Sequence, residues 1–285
     1  MKDPESVKFF SPAIDLCIMR CYTLPAKEMV FLTSNLHTHT FRCRHAEGDV
    51  EDYVVRAINA GIKTLGFSEH APYTYLTGYQ SWWRLQPEEM PSYVEAVLTA
   101  REKHRGEIDI LLGAELEYYP ETFDILLDTL RKYPMDYLIL GQHALNNEYD
   151  GIDTYEGSSS PEDLRDYVDA CITGLGYGYF VYLAHPDLFS FSGDESVYRQ
   201  EMGRLCAFCA EKDIPLEINM KGINAGRRYP SEQFYTLAKE HGCRFVVGMD
   251  AHSPDEIVQP ETYPRYSELI EKCGITNVVE AVSLL

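Results

Sequence analysis

Most of the histidines in this chain stand where a parallel sheet would bring them together. Seven of the nine histidines, with one glutamate and one aspartate, come at the ends of short apolar runs that predict β-strands. Imidazole and carboxylate groups are ligands that zinc, iron and manganese take in proteins. The candidate metal ligands are His37, His39, His45, His70, Glu115, His143, His185, Asp250 and His252.

The spacing of these residues supports a shared site. One residue separates His37 from His39, and one separates Asp250 from His252. Alternate residues of an extended segment point the same way, so each pair presents two ligands to one cavity. A single histidine is more often a polar residue at the start of a loop, but six of the seven predicted strands deliver a metal-type ligand at the same end. One ion needs only about four ligands, so the set predicts more than one metal.

Seven apolar runs rich in Val, Ile, Leu and Phe must position these ligands. The stretches between them predict helices, such as Val50–Ala60 behind the N-cap Asp49, and a helix from Pro161 to about Leu175. This alternation predicts a closed parallel barrel, which places its chemistry at the C-terminal mouth of the strands. The predicted strands are Val30–Leu36, Ile62–Phe67, Ile108–Gly113, Asp136–Leu140, Tyr179–Ala184, Pro215–Asn219 and Arg244–Gly248.

The composition limits the partners that the chain can take. It holds 25 Lys and Arg against 45 Asp and Glu, a formal charge of −20. Such a surface repels phosphate backbones, so we expect no nucleic-acid partner, and a small anionic substrate needs a local positive centre. No apolar run reaches the length of a membrane span, so we expect no membrane partner either.

The eight cysteines and the N-terminal residues indicate the cellular compartment and the domain bounds to expect. In a chain of this length the cysteines do not indicate a disulfide framework, and residues 12–22 make a poor signal peptide, so we expect a reduced, cytoplasmic protein. Cys206 and Cys209 lie in the helical run Glu195–Lys212, where we expect two packed thiols on one helix face. Residues 1–28 predict an N-terminal extension of uncertain structure, and residues 29–285 a single barrel domain.

Six stretches of the sequence resemble motifs of the PHP superfamily of metal-dependent phosphoesterases, and within it the histidinol-phosphatase branch. The resemblance implies a distorted (β/α)7 barrel, TIM-like and of the PHP type, with a metal site at the C-terminal face of the strands. It implies a metal-dependent phosphatase that hydrolyses histidinol phosphate in histidine biosynthesis. The stretches are His37-Thr-His39-Thr with Arg44-His45-Ala-Glu-Gly48, Gly66-Phe-Ser-Glu-His-Ala-Pro72, Gly113-Ala-Glu115, Ala184-His-Pro-Asp187, Leu216-Glu-Ile-Asn219 and Asp250-Ala-His-Ser-Pro254.

The resemblance further implies three divalent transition-metal ions, of zinc, iron or manganese. The nucleophile would be a hydroxide between the first two ions, which attacks the phosphorus of a small phosphate ester. Glu115, Asp250 and His252 are then the catalytic candidates. The implied ligand sets are His37, His39, Glu115 and Asp250 for the first ion, the bridging Glu115 with His143 and His185 for the second, and His45, His70 and His252 for the third.

Basic residues near the predicted mouth are candidates for binding the phosphate. Arg227 and Arg228 follow the sixth strand, and a guanidinium group matches a phosphate in two-point hydrogen bonding. Lys221 and Arg84 are the next candidates for the same role.

Several alternatives stay open at the level of the sequence. Glu69 either orients its neighbour His70 or is a surface carboxylate. Trp82 and Trp83 either wall the site or pack a long tyrosine-rich loop onto the barrel. The rival functions are a phosphoesterase that acts on nucleotides or other small esters, a metal-dependent amidohydrolase, and a non-catalytic metal-binding domain. The sequence predicts no oligomeric state.

Overall fold

A curled parallel sheet forms the centre of the protein. A computed structural model describes residues 32–281, and the eight strands in that range pair in sequence order. All neighbouring strands run parallel, as the strand–helix alternation requires. The strands are β1 (Ser34–Asn35), β2 (Thr64–His70), β3 (Asp109–Leu116), β4 (Tyr137–Leu140), β5 (Phe180–Leu183), β6 (Leu216–Asn219), β7 (Phe245–Gly248) and β8 (Val278–Val279).

Helices with well-defined ends connect the strands. Asp49 and Asp52 form a capping box at the start of the first helix, and Gly61 ends that helix in a left-handed conformation, with a φ of 82°. Ser160 caps a later helix whose first residue is Pro161. The α-helices are α1 (Val50–Ala60), α2 (Met90–Lys103), α3 (Phe123–Leu130), α4 (Pro161–Gly176), α5 (Glu195–Lys212), α6 (Met220–Asn224), α7 (Glu232–Glu240) and α8 (Tyr263–Cys273).

The interior of the sheet is filled by side chains from alternate strand positions. Tyr137 and Ile139 of β4 point inward, whereas Leu138 and Leu140 belong to the larger core between the strands and the helices. The Tyr137 hydroxyl crosses the interior and donates a hydrogen bond of 2.7 Å to the carbonyl of Leu36. Packing of this kind makes the base of the barrel a solid core and leaves the opposite end for chemistry.

The β1 region contacts the last part of the sheet in two places. Thr38, just beyond β1, forms a parallel bridge with Ala251, just beyond β7. Toward the other end of the strands, the Glu280 carboxylate accepts hydrogen bonds from the hydroxyls of Thr33 and Ser34, at 2.8 and 2.9 Å. Main-chain pairing and side chains therefore both contribute to closing the sheet on itself.

The predicted fold class, a distorted (β/α) barrel, is confirmed. The predicted helices Val50–Ala60 and Glu195–Lys212 have those bounds, and the helix from Pro161 ends at Gly176, one residue beyond Leu175. Several strand bounds differ from the sequence-based expectation, and β1 comprises only Ser34–Asn35 of the predicted strand Val30–Leu36. The structure adds an eighth strand of only two residues, too short to leave a hydrophobic pattern. β2 and β3 also extend further, so that His70 and Glu115 lie inside strands instead of after them.

Other expectations concern termini, thiols and membranes. The expected extension, residues 1–28, lies outside the described residues. Cys206 and Cys209 are both buried and free on α5, which confirms that they pack as thiols. Between residues 32 and 281, no helix combines the length and the apolar composition needed to cross a membrane.

Candidate metal centre

The nine candidate ligands converge at the C-terminal end of the strands. Two main-chain hydrogen bonds place the His37–His39 segment beside the Asp250–His252 segment: the N–H of His39 donates to the Ala251 carbonyl at 2.9 Å, and the N–H of Ala251 donates to the His37 carbonyl at 3.2 Å. The two alternating pairs thereby face one cavity, as their spacing predicted. The strands β2, β3, β4 and β5 deliver His70, Glu115, His143 and His185 to the same cavity.

Four of these ligand atoms have the mutual spacing of a coordination shell. The Nε2 atoms of His37 and His39 each lie 3.5 Å from Oε2 of Glu115, and 3.6 and 3.5 Å from Oδ1 of Asp250. These distances are long for hydrogen bonds, yet ligands about 2.1 Å from a tetrahedral ion lie about 3.4 Å apart. Both Nε2 atoms are buried without a hydrogen-bond partner, and Oε2 of Glu115 lies 3.0 Å from Nδ1 of His70. The residues present therefore fit a metal ion.

Glu115 lies between two groups of ligands. Its Oε2 faces His37 and His39, while its Oε1 lies 2.9 Å from Nε2 of His185 and 3.7 Å from Nε2 of His143. Burial alone would raise the pKa of this carboxyl, but His143, His37 and the other nearby imidazoles hold it well below its usual range. An ionised carboxylate with one oxygen in each group has the arrangement of a bridging metal ligand.

The remaining histidines form the outer part of the cluster. The Nε2 atoms of His45 and His252 lie 3.0 Å apart, while their Nδ1 atoms contact the carbonyls of Cys43, at 2.7 Å, and Asp250, at 2.9 Å. In a neutral ring whose Nδ1 donates to a carbonyl, Nε2 carries the lone pair, so a cation between the two Nε2 atoms would be bound from both sides. The ring nitrogens of His70 group with His39 and His252.

Burial keeps several of these imidazoles neutral, which is the form that binds metals. It lowers the pKa of His45 to about 4 and that of His70 to about 3. Desolvation is the largest cause in both cases. The pKa of His39 is also held well below the ordinary value, again chiefly by burial. At neutral pH these rings offer lone pairs without a proton having to leave.

Two carboxylates that sequence reasoning left without a role orient the ligands. Glu217 of β6 accepts from Nδ1 of His37 at 2.7 Å and from the main-chain N–H of His185 at 2.9 Å. Glu117, just after β3, accepts from Nδ1 of His143 at 2.7 Å. Outer carboxylates of this kind fix the tautomer and the ring plane of a metal-binding histidine. A sequence signal existed for Glu117, which follows Glu115 at the same alternating spacing as the histidine pair.

Two glycines make room for these carboxylates. A Cβ on Gly141 would lie 2.0 Å from Oε1 of Glu115, and a Cβ on Gly248 would lie 1.8 Å from Oε1 of Glu217. Neither carboxylate could keep its position beside any other residue type. The choice of glycine at these strand ends is therefore tied to the ligand geometry.

Glu69 turns inward and anchors the segment that carries the ligands. It is fully buried, and it accepts hydrogen bonds from the N–H of Thr40, at 2.5 Å, and from the Thr40 hydroxyl. Burial is the main cause that raises the pKa of Glu69 to about 7. Of the two alternatives for this residue, the surface carboxylate is wrong, and its partner is the segment after His39 instead of His70.

A cleft of about 370 Å³ opens above the cluster. Lys221 and Arg227 line it, together with Trp83, whose ring centroid lies 4.9 Å from that of His70. Trp82 also lines the cleft and is 72% exposed. Both tryptophans thus wall the site, whereas the tyrosines of the same loop pack among other aromatic rings.

Arg84 and Arg228 do not line the cleft. The Arg84 side chain is 1% exposed and ion-paired with Glu117 and Glu148, at 3.1 and 2.7 Å. Those two carboxylates neutralise its charge, so the structure does not support the prediction that Arg84 binds phosphate. Arg228 is exposed and donates to the carbonyl of Tyr155 at 2.6 Å. Of the four basic candidates, only Lys221 and Arg227 line the cleft.

Known proteins resemble this chain in sequence and in fold. A Deinococcus radiodurans protein named "Probable histidinol-phosphatase" is 28% identical, over 78% of this chain and 86% of its own length. The histidinol-phosphatase of Bacillus subtilis is 24% identical, over 83% and 98%. The histidinol phosphate phosphatase of Lactococcus lactis, solved with zinc, L-histidinol and phosphate, shares the fold with a TM-score of 0.65 at 21% identity, over 85% of this chain and 94% of that one.

The match to a known family covers most of the site. Residues 35–221 match the PHP domain, a span that begins at β1 and ends in α6. It includes seven of the nine candidate ligands, all except Asp250 and His252. The resemblance that the motifs indicated is therefore confirmed: this chain belongs to the PHP domain family.

Proposed function

We propose that this protein is a metal-dependent phosphomonoester hydrolase that acts on histidinol phosphate in histidine biosynthesis. The observation that carries the proposal is the convergence of nine metal-type ligands around one ionised carboxylate, Glu115, beneath a cleft lined by two cations. The names of the relatives from Deinococcus radiodurans and Bacillus subtilis support the substrate.

We propose that the site holds three divalent ions of zinc, iron or manganese. The spacing around Glu115 fits one ion among His37, His39, Glu115 and Asp250, and a second between Glu115, His143 and His185. The converging nitrogens of His45 and His252, with His70 nearby, fit the third. When bound, such ions make water nucleophilic near neutral pH and neutralise the charge of the phosphoryl oxygens.

The protein's own side chains then bind the phosphate, hold the catalytic groups in position and accept a proton. The ammonium of Lys221 and the guanidinium of Arg227 bind phosphate oxygens from the cleft wall. The Asp250 carboxylate accepts a hydrogen bond from Nδ2 of Asn219 at 3.1 Å, which keeps it directed at the ligand cluster. Asp250 is placed to take the proton of the attacking water, and the Nδ1 contact of His252 with the Asp250 carbonyl holds that ring beside it.

The proposal is tested by phosphate release from a panel that contains histidinol phosphate, mononucleotides, sugar phosphates and a single-stranded oligonucleotide. We expect histidinol phosphate to have the highest kcat/KM, and little action on the oligonucleotide, because the formal charge of the chain is −20. Faster turnover of a nucleotide would favour the second candidate, a nucleotide phosphoesterase. Amide hydrolysis without phosphate release would favour an amidohydrolase.

A matched variant separates catalysis from mere metal storage. Glu115→Gln keeps the shape of the side chain but removes the charge that faces both groups of ligands. We expect it to fold and to lose at least about a hundredfold in kcat, within the range by which catalytic side chains contribute. Near-normal turnover in this variant would contradict the proposed role of Glu115.

We also propose a cellular location for the protein and the bounds of its domain. The six cysteines among residues 32–281 are all free and buried, which supports a reduced cytoplasmic location. We propose one barrel domain over residues 29–285, and the single sheet that runs from Ser34 to Val279 supports it. The proposed location is tested by cell fractionation, in which we expect active enzyme with reduced thiols in the cytoplasmic fraction.

A further inference from the structure

Hydrolysis of a phosphate ester moves a proton at two oxygens. Asp250 is placed to take the proton of the attacking water, but the oxygen that leaves with the organic group must gain one. An aliphatic alcohol is an acid of about the strength of water, whose pKa is about 15.7. Departure of a free alkoxide is therefore unfavourable, and a side chain that donates a proton to this oxygen speeds the reaction.

Most polar side chains that line the cleft cannot donate this proton. The histidines are candidate metal ligands, and the nitrogens that bind ions carry no proton. Lys221 and Arg227 are the proposed phosphate ligands. Glu148 and Asp153 accept hydrogen bonds with their carboxylates, and the Thr154 hydroxyl donates to a main-chain carbonyl. Among the cleft residues between positions 32 and 281, the phenols are the acids that remain.

The cleft has two phenols, and they differ in exposure. Tyr229 is only 2% exposed, and its ring centroid lies 6.0 Å from that of the candidate ligand His185. Tyr155 is 42% exposed, and its ring centroid lies 6.4 Å from that of Tyr229. A proton donor must lie within hydrogen-bond reach of the reacting group. Of the two phenols, Tyr229 is the one that is both beside the ligand cluster and shielded from water.

The hydroxyl hydrogen of Tyr229 is available to a ligand. The phenol oxygen accepts a hydrogen bond of 2.6 Å from Nη1 of Arg227, which is its one hydrogen bond within residues 32–281. A guanidinium group has no acceptor, so the phenol cannot donate back to Arg227. The hydroxyl therefore has one oxygen lone pair in use and its own hydrogen free, on a side chain that lines the cleft.

Packing and a buried carboxylate hold Tyr229 in place. Its ring lies directly on Gly222 of α6, where a Cβ would come within 2.8 Å of Cδ2 of the ring. Two residues further on, the N–H of Ser231 donates to the buried Asp187 carboxylate at 2.7 Å, which ties this loop to the segment after His185. A donor fixed in this way needs no rearrangement when the leaving oxygen becomes basic.

We infer that the Tyr229 hydroxyl donates a proton to the leaving oxygen of the ester. As the oxygen of the attacking water bonds to phosphorus, the bond between phosphorus and the ester oxygen breaks, and the phenol proton moves to that oxygen. The product leaves as a neutral alcohol. The phenolate regains a proton from solvent, to which Asp250 returns the one that it took. The inference rests on the proposed phosphatase function and adds the acid that its reaction needs.

Two esters that differ in the basicity of the leaving group test the inference on the metal-loaded enzyme. They are 4-nitrobenzyl phosphate, which releases a basic alkoxide, and 4-nitrophenyl phosphate, whose phenolate leaves without a proton because the ring spreads its charge. The measured quantity is the ratio of kcat/KM for the benzyl ester to that for the phenyl ester. A loss of phosphate binding or of folded protein affects both esters and cancels in this ratio.

The decisive variant is Tyr229→Phe, which keeps the ring and its packing and removes only the hydroxyl. We expect kcat/KM for the benzyl ester to fall about a hundredfold and that for the phenyl ester to change little, so that the ratio falls about a hundredfold. The matched control is Tyr155→Phe, which removes the exposed phenol of the same cleft and should leave the ratio unchanged.

The possible results separate this inference from the function on which it rests. If Tyr229→Phe leaves the ratio unchanged, whether both esters slow alike or neither does, the proton donor is overturned and the phosphatase stands. A fall in the ratio for Tyr155→Phe of the same size would also overturn it. If the wild type releases phosphate from neither ester nor from any other monoester, both proposals fail together. A fall in the ratio confined to Tyr229→Phe supports the inference.

Discussion

Oε1 of Glu217, in β6, lies 2.7 Å from Nδ1 of His37, which follows β1. Both side chains are fully buried, and 180 positions of sequence separate them. The contact directs the other ring nitrogen, Nε2, toward Glu115 and Asp250. Gly248 is part of the same arrangement, since any side chain at that position would displace Glu217. The orientation of one candidate ligand is therefore set by two distant strands.

Replacing Glu217 with glutamine is expected to weaken metal binding. Glu217→Gln keeps the volume but removes the negative charge that fixes the His37 tautomer, and loss of such outer partners typically costs about 10–100-fold in metal affinity or activity. Metal retention during titration with a buffered chelator measures the effect. Glu211→Gln, which alters an exposed carboxylate of α5, is the control. Equal affinity in the two variants would contradict an orienting role for Glu217.

Removing the metals is expected to destabilise the protein. Without a cation, the Nε2 atoms of His45 and His252 lie 3.0 Å apart, and the Nε2 atoms of His37 and His39 are buried without a hydrogen-bond partner. Ligands that bind only the folded state raise Tm by mass action, and we expect chelation to lower Tm by about 5–10 °C and added zinc to restore it. Elemental analysis should give between two and three ions per chain, which tests the proposed stoichiometry. One ion or fewer in fully active protein would refute it.

Arg84→Met is expected to affect folding more than phosphate binding. The change leaves the buried carboxylates of Glu117 and Glu148 without their shared cation, and breaking a buried pair of this kind costs about 3–5 kcal/mol. Urea unfolding measures the free energy of unfolding. Arg228→Met, at an exposed position, should change it by less than about 0.5 kcal/mol. An Arg84 variant of normal stability with only a raised KM would restore Arg84 as a phosphate ligand.

Arg227→Ala is expected to raise KM for a phosphate monoester by about tenfold while metal content stays unchanged. Arg227 lines the cleft, and its guanidinium is held by a hydrogen bond of 2.6 Å to the Tyr229 hydroxyl. Loss of a contact made equally to bound substrate and transition state appears in KM and not in kcat. Arg228→Ala serves as the comparison and should have the smaller effect, because Arg228 does not line the cleft and its guanidinium donates to the Tyr155 carbonyl. A larger rise in KM for Arg228→Ala than for Arg227→Ala would instead indicate that Arg228 binds the phosphate.

The sequence was sufficient to predict which side chains converge at the mouth, because metal binding restricts residue types and strands restrict their spacing. His37 with His39, and Asp250 with His252, are recognisable from alternation alone. The barrel was predictable for a similar reason, since each apolar run was long enough to be recognised as a β-strand between helical stretches.

What escaped prediction depends on contacts between distant segments. Glu217 stands in an apolar run, and only the folded sheet brings it to His37. Arginine is a residue type that often binds phosphate, but the charge of Arg84 is already neutralised by Glu117 and Glu148, which approach from other loops. The residue type alone predicts a cation that can bind a substrate, but the tertiary structure decides whether a carboxylate already neutralises it.

The two contacts that close the sheet involve different numbers of strands at the two ends of the barrel. At the base, β8 stands between β7 and β1, and Glu280 reaches the hydroxyls beside β1. At the mouth, β8 has ended, and Thr38 bonds directly to the segment at Ala251. Barrel diameter grows with strand number, so the wall tapers from eight strands to seven. The short last strand thus adds one strand at the base and none at the mouth, where Nε2 of His37 and Oδ1 of Asp250, from the two bonded segments, lie 3.6 Å apart.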